Sequence, residues 1–276
     1  MEKGREYLVR QLITRGDMHK LRCEDDVFVS ETEKYILMAV FDGCSSGNDS
    51  HFASTAYKLA LSKLQETLLS PLFEEMEGMV GDCSRLVTIV QNTHKMVGNL
   101  IIEFGLNPLA NDMLSTAIFA LFNKERSMVN IIFCGDGVAY IDGKEHCVHN
   151  EDSSVYYLST VSQQGFRDYI DNHCLRLCNI PVENGLSIST DGIDSFIDKY
   201  RKNYGEEART LFFESDRFTG NKFMLTRLYS IFTKEEDKNC IRNQDDFSMV
   251  RLIIKKEEPE KLKVKKEELV LEEDDG

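Results

Sequence analysis

At 276 residues, with 42% hydrophobic residues and a net charge of −14 at pH 7, the chain has the material for one sizeable core and no cationic field suited to nucleic acid. No stretch reaches the length of a membrane span, and Met1 to Gly16 lacks the uninterrupted apolar centre of a secretory leader. The eight cysteines (23, 44, 83, 134, 147, 174, 178 and 240) are scattered and read as free thiols of a reducing cytoplasm.

In chain order, Tyr7 to Thr14 predicts a strand, Arg15 to Lys20 a polar turn and Val27 to Val29 a second short strand. Ile36 to Phe41 is an unbroken apolar run that stops at Asp42-Gly43, the pattern of a buried strand bounded by turn residues. Ser50 to Leu69 and Leu86 to Ile102 place apolar residues at helical spacing, Phe52, Ala56 and Leu64 in one, Val90, Val97 and Leu100 in the other. Pro71 and Gly81-Asp82 punctuate the stretch between them. Strands resume at Thr116 to Phe122, Val129 to Cys134 and Val138 to Ile141, the last turning at Asp142-Gly143. Gln163 to Cys178 is ambiguous. Leu186 to Thr190 predicts a strand, Ile193 to Tyr200 and Gly220 to Phe232 predict helices, and Phe247 to Ile254 is the last strand. Strands, two long helices, then strands again point to an α+β fold of antiparallel sheets rather than alternating βαβ units. Residues 1–254 read as one domain, and residues 255–276 as a charge-blocked tail, disordered or a solvated helix.

Four acidic corners stand out. Apolar runs lead into Asp42-Gly43, Gly135-Asp136-Gly137 and Asp191-Gly192, and Asp245-Asp246 opens the final run. A single Asp-Gly is most often a turn former. Four acidic corners, each pinned by a run too apolar to leave the core, would converge if the strands share a sheet end. Like charges that close raise one another's pKa, and hard divalent cations such as Mg²⁺ or Mn²⁺ relieve the repulsion. Two such ions can ready a water near neutral pH and clamp the oxygens of an in-line phosphoryl displacement.

The ordered set Glu24-Asp25, Phe41-Asp42-Gly43, Ser115-Thr116-Ala117, Gly135-Asp136-Gly137, Ser189-Thr190-Asp191-Gly192 and Asp245-Asp246-Phe247-Ser248 resembles the motif series of the metal-dependent protein phosphatases of type 2C, in a divergent prokaryotic version. The similarity runs from about Tyr7 to Ile254. The resemblance implies an α-β-β-α sandwich, two central antiparallel sheets flanked by helices, with two Mg²⁺ or Mn²⁺ ions at one end of the sheets. It also implies hydrolysis of phosphoserine and phosphothreonine proteins, opposing a Ser/Thr kinase, without a covalent enzyme intermediate. On that implication Asp42 bridges both ions and the Gly43 carbonyl binds one. Asp191 and Asp245 complete the shell of the other, with Glu24 or Asp25 reaching the first through water. Asp136, with Asp191, would hold a third ion. Lys20 and Arg22 would meet the phosphate, and residues 194–223 fall where the family carries a mobile flap.

Four departures from the family's pattern stand out. Cys44 replaces the usual His or Met after Asp-Gly, and Ser45-Ser46-Gly47 follows it in place of a glycine pair. Lys20 stands for the phosphate-binding arginine, offering a point charge but no bidentate fork. Leu114 replaces a glycine, and Asp246 an asparagine. These departures keep a second reading open, a catalytically inactive module with the same fold that binds phosphoproteins or a partner. Hydrolysis of a small phosphorylated metabolite is a third. His146-Cys147-Val148-His149 and His173-Cys174 with Cys178 lack the spacings of a zinc finger or ribbon. His19, His51 and His94 read as surface or satisfied core residues, His51 alone being placed to carry a proton.

Overall fold

The computed structural model describes residues 5–19, 21–46, 49, 51–69, 81–108, 110–148, 157–158, 165–233 and 240–255. The charged tail beyond residue 255 lies outside the described residues.

Ten strands form two five-stranded antiparallel sheets. The first runs β1 (Glu6–Thr14), β12 (Phe247–Lys255), β9 (Gly185–Ser189), β6 (Val138–Ile141) and β7 (Lys144–Cys147); the second runs β2 (Asp26–Glu31), β3 (Tyr35–Gly43), β4 (Ser115–Asn123), β5 (Met128–Cys134) and β8 (Leu175–Pro181). A ribbon of β10 (Phe196–Ile197) and β11 (Arg242–Asn243) stands apart.

Strand β3 shows why its apolar run is continuous rather than alternating. Successive side chains leave a strand on opposite faces. Ile36, Met38 and Val40 pack between the sheets against Ile118, Ile188 and Leu252. Leu37, Ala39 and Phe41 face the other way, against α1 (His51–Leu68), α2 (Asp82–Glu103) and α3 (Phe166–His173). Both faces of the strand are therefore buried, and burial of each large aliphatic side chain contributes about 1.5–3 kcal/mol. On the first sheet's outer face, Phe247, Met249 and Leu12 pack against Phe212, Met224 and Leu228. Those residues come from α4 (Gly205–Arg209) with the π-turn after it and from α5 (Met224–Phe232). The layers are thus helix, sheet, sheet, helix.

Three readings of the sequence need correction. Ile193 to Tyr200 is not a helix: a 3-10 turn over Asp191–Asp194 gives way to β10. The Asp198 carboxylate accepts the backbone N–H groups of Tyr200 and Lys202 at 2.8 and 3.0 Å, a local alternative that competes with helical bonding. Gly220 to Phe232 becomes helical only at Met224, and the ambiguous Gln163 to Cys178 holds α3 and the start of β8. The cysteines are not all free, because Cys83 in the first turn of α2 is bonded to Cys178 on β8, Cα atoms 5.6 Å apart. Packing α2 on the second sheet brings together two positions 95 residues apart, which spacing alone cannot show.

Candidate active site

The strand register carries the acidic corners to one end of the sandwich. In the second sheet, Asp42 pairs across with Thr116, Phe41 with Asp26, and Ala117 with Cys134, so Asp25, Asp42 and the Gly135-Asp136 corner emerge together. In the first sheet, Ser189 lies between Met249 and Val138, so Asp191, Asp245 and Asp136 leave at the same end. Two glycines let the loops close up. A Cβ on Gly192 would fall 1.7 Å from the Asp246 carbonyl oxygen, and one on Gly16 would fall 2.3 Å from the Asp245 carbonyl carbon. Backbone therefore packs on backbone at both places, as only glycine allows.

Asp42, Gly43, Asp136, Asp191 and Asp245 line a single cleft of about 200 Å³. Thr116, Tyr157, Cys44, Ser45 and Ser46 complete its walls. A larger cleft of about 530 Å³ lies at the opposite end of the first sheet, over Ser187 and Arg251. The carboxylates there are already engaged, Asp142 by the N–H groups of Glu183, Asn184 and Gly185, Glu214 by the Tyr140 hydroxyl and Asp216 by Arg251, so the smaller cleft is the chemically distinctive one.

Electrostatics set these acids apart from ordinary surface carboxylates. Burial pushes Asp25 up to about 8, against a hydrogen bond from the Thr190 hydroxyl at 2.7 Å. Asp42 is held well above the usual range by burial and by the Asp25 and Asp191 charges, and it stands within hydrogen-bonding reach of Asp25. Burial, then Asp136 and Asp245, push Asp191 up to about 7. Asp136 and Asp245 are also raised, burial being the main cause for both. The Asp25 Oδ1 atom is buried without a hydrogen-bond donor. Such a set, rich in oxygen and short of counter-charge, fits hard divalent cations. Among the described residues, no group of three or more His, Cys, Asp or Glu side chains is arranged to hold an ion as it stands. The donor set fits, and the closing of its ligands around an ion is not seen.

The other residues singled out by sequence are placed differently. Glu24 is buried beside the cleft and accepts the Ser45 hydroxyl at 3.0 Å. Arg22 does not line the cleft. Its guanidinium is largely exposed and donates to His51 Nε2 at 2.7 Å, with Asp49 at 3.5 Å. Lys20 lies outside the described residues. Two residues had no signal in the sequence. His19, in the turn before Glu24, sits among Asp246, Asp245 and Glu24 at 2.8, 3.5 and 3.9 Å. Tyr157, in a stretch without periodicity, presents its hydroxyl to Cys44 Sγ at 3.5 Å.

The sequence model described as Protein phosphatase 2C matches residues 15–231. Among solved structures, the serine/threonine phosphatase Stp1 from Staphylococcus aureus is similar over 93% of this chain and 98% of its own, at 14% identity and a TM-score of 0.56. The catalytic domain of the serine threonine protein phosphatase PstP, in complex with two manganese ions, is similar over 92% and 100%, at 12% identity and 0.52. A chain holding the phosphatase domain and a regulatory fragment of SpoIIE from Bacillus subtilis is similar over 91% of this chain, at 11% identity and 0.55, and this chain spans 64% of its length. No curated protein matches the sequence significantly. At these identities the structural likeness establishes the fold.

Proposed function

Because the chain belongs to the protein phosphatase 2C family, we propose that it is a Mg²⁺- or Mn²⁺-dependent hydrolase of phosphoserine and phosphothreonine proteins. The observation that carries this reading is the convergence of Asp42, Asp136, Asp191 and Asp245 from separate strand ends on one cleft. Asp42 and the Gly43 carbonyl would serve two ions, Asp191 and Asp245 would complete the ligands of the second ion, and Glu24 or Asp25 would reach the first through water. Asp136 with Asp191 would take a third ion. When bound, the ions supply a water made nucleophilic near neutral pH and positive charge for the phosphoryl oxygens. The protein's own part is positioning. Thr190 hydrogen-bonds Asp25, and Ser45 hydrogen-bonds Glu24, which orients both carboxylates behind the cleft wall. Arg22, held by His51 and Asp49 at the exposed side, would have to turn toward the cleft to meet a phosphate, and Lys20 is the other cation proposed for that contact.

Among the described residues no helix is long and apolar enough to cross a membrane. On this reading the activity is cytoplasmic and opposes a Ser/Thr kinase, with residues 194–223 as the flap-like segment over the site. A second reading, an inactive binding module, is favoured by one observation: Arg22 is engaged by His51 and Asp49 instead of lining the cleft.

Turnover of a phosphoserine peptide and of p-nitrophenyl phosphate with Mn²⁺ separates the two. The enzyme reading expects activity that EDTA removes and Mn²⁺ restores. Full activity in EDTA overturns it, and Mn²⁺ binding without turnover selects the module.

A further inference from the structure

Tyr157 enters the acidic cleft from a segment that belongs to neither sheet. Its neighbour Leu158 is fully buried on the helix side of the second sheet, in the same cluster as Phe41, Phe119 and Phe166. That anchor leaves the tyrosine at the cleft wall, where its hydroxyl oxygen accepts from the Cys44 thiol at 3.5 Å. Cys44 is in turn fixed by Ser46 Oγ at 3.1 Å. The phenol is thus held from both sides of the cleft, by a packed neighbour on its own chain segment and by the loop after Asp42.

Breaking a phosphoserine ester leaves an alkoxide, a poor leaving group unless it takes a proton as it departs. With divalent cations bound, the cleft carboxylates are ionised and cannot give one. A phenol, with an ordinary pKa of about 10, is a stronger acid than an aliphatic alcohol. Burial, the Cys44 contact and the Asp136 and Asp42 charges push Tyr157 higher, so it keeps its proton at neutral pH until a strongly basic alkoxide takes it. Of the other neutral groups lining the cleft, Thr116, Ser45 and Ser46 offer only aliphatic hydroxyls, and the Cys44 thiol directs its proton to the Tyr157 hydroxyl.

We propose that Tyr157 is a catalytic residue of the phosphatase reaction: its hydroxyl hydrogen-bonds the ester oxygen and protonates it as the P–O bond breaks, with Cys44 positioning the ring. Water forms the new bond to phosphorus and releases a proton to solvent. The electron pair of the broken P–O bond stays on the serine or threonine oxygen, which takes the Tyr157 proton, and the phenolate recovers a proton from solvent. Monoester and water become alcohol and inorganic phosphate. The proposal rests on the phosphatase reading above.

The test compares wild type, Tyr157→Phe and Cys44→Ala, loaded with Mn²⁺, on a phosphoserine peptide and on p-nitrophenyl phosphate, whose leaving group needs no proton. Tyr157→Phe is expected to lose kcat on the peptide by on the order of 10²-fold and on p-nitrophenyl phosphate by no more than about threefold, with KM little changed. The readout is a ratio within one preparation, so partial unfolding of the variant cannot mimic it. Equal losses on the two substrates, or none, overturn the role of Tyr157 while leaving the phosphatase reading intact. A substrate-selective loss in Cys44→Ala alone assigns the proton to the thiol and also overturns it. Inactivity of the wild type on both substrates overturns the phosphatase reading, and this proposal with it.

Discussion

Nδ1 of His19 lies 2.8 Å from Oδ2 of Asp246. The Asp246 side chain is only 1% exposed, and it also accepts the backbone N–H groups of Gly16, at 2.7 Å, and of Glu24. One buried carboxylate therefore ties the β1–β2 connection to the start of β12, next to the acidic cleft. Where the resemblance leads one to expect a neutral asparagine, this chain has an acid with its own cation beside it.

His19→Ala removes that cation and is expected to destabilise the protein by about 1–3 kcal/mol in urea unfolding. Burial alone would lower the His19 pKa, but its hydrogen bond to Asp246 and the Asp246, Glu24 and Asp245 charges outweigh this, and the net shift is upward. A histidine raised on folding contributes stability that is fully present below its unfolded value, about 6.5, and lost as pH rises through the folded value. The difference between wild type and His19→Ala should accordingly be larger at pH 6 than at pH 8.5. An unchanged difference contradicts the pairing.

The carboxylates act in the same sense for a different reason. Asp25 and Asp191 are raised to about 8 and about 7, above the ordinary 3.8. Between roughly pH 4 and pH 8 the folded protein then binds more protons than the unfolded chain, so stability falls as pH rises. In EDTA, Tm should drop between pH 5 and pH 8.5, and saturating Mn²⁺ should recover most of the loss, because an ion that binds only the folded form stabilises it. A metal-free Tm that climbs with pH across this range contradicts the assignment.

Asp191→Asn relieves the repulsion at its source. The variant should gain about 0.5–2 kcal/mol of metal-free stability at pH 8 while losing turnover, the usual opposition of function and stability at a charged site. Denaturant unfolding in EDTA measures the first, and phosphopeptide hydrolysis the second. A less stable variant contradicts the account.

Much of this was legible before any coordinates. The run from Ile36 to Phe41 is apolar at every position because both faces of β3 are covered, and its halt at Asp42 marks the rim of the site. Each of the other corners carries the same local signal. What stayed hidden depends on contacts between distant positions. His19 occupies an ordinary polar turn, and its significance comes from Asp246, 227 positions later. Tyr157 gains meaning from Cys44, across another large separation. Asp198 diverts the backbone after Ile193 into a turn through bonds that apolar periodicity does not register.

Gly192→Ala tests how closely the Asp191 turn must approach β12. The added methyl would overlap the Asp246 carbonyl oxygen, at 1.7 Å. A loss of about 1–3 kcal/mol is expected, together with weaker Mn²⁺ binding, since the turn that carries Asp191 must move. A variant as stable as wild type contradicts the packing of these two loops.

The central claim is that Asp42, Asp191 and Asp245 gather to hold divalent cations, and calorimetric titration with Mn²⁺ tests it most directly. Near pH 7, in two buffers of different ionisation enthalpy, wild type should bind Mn²⁺ with release of protons from the raised carboxyls, and Asp42→Asn should lose that binding. Absence of Mn²⁺ binding by the wild type, or unchanged binding by Asp42→Asn, would contradict it.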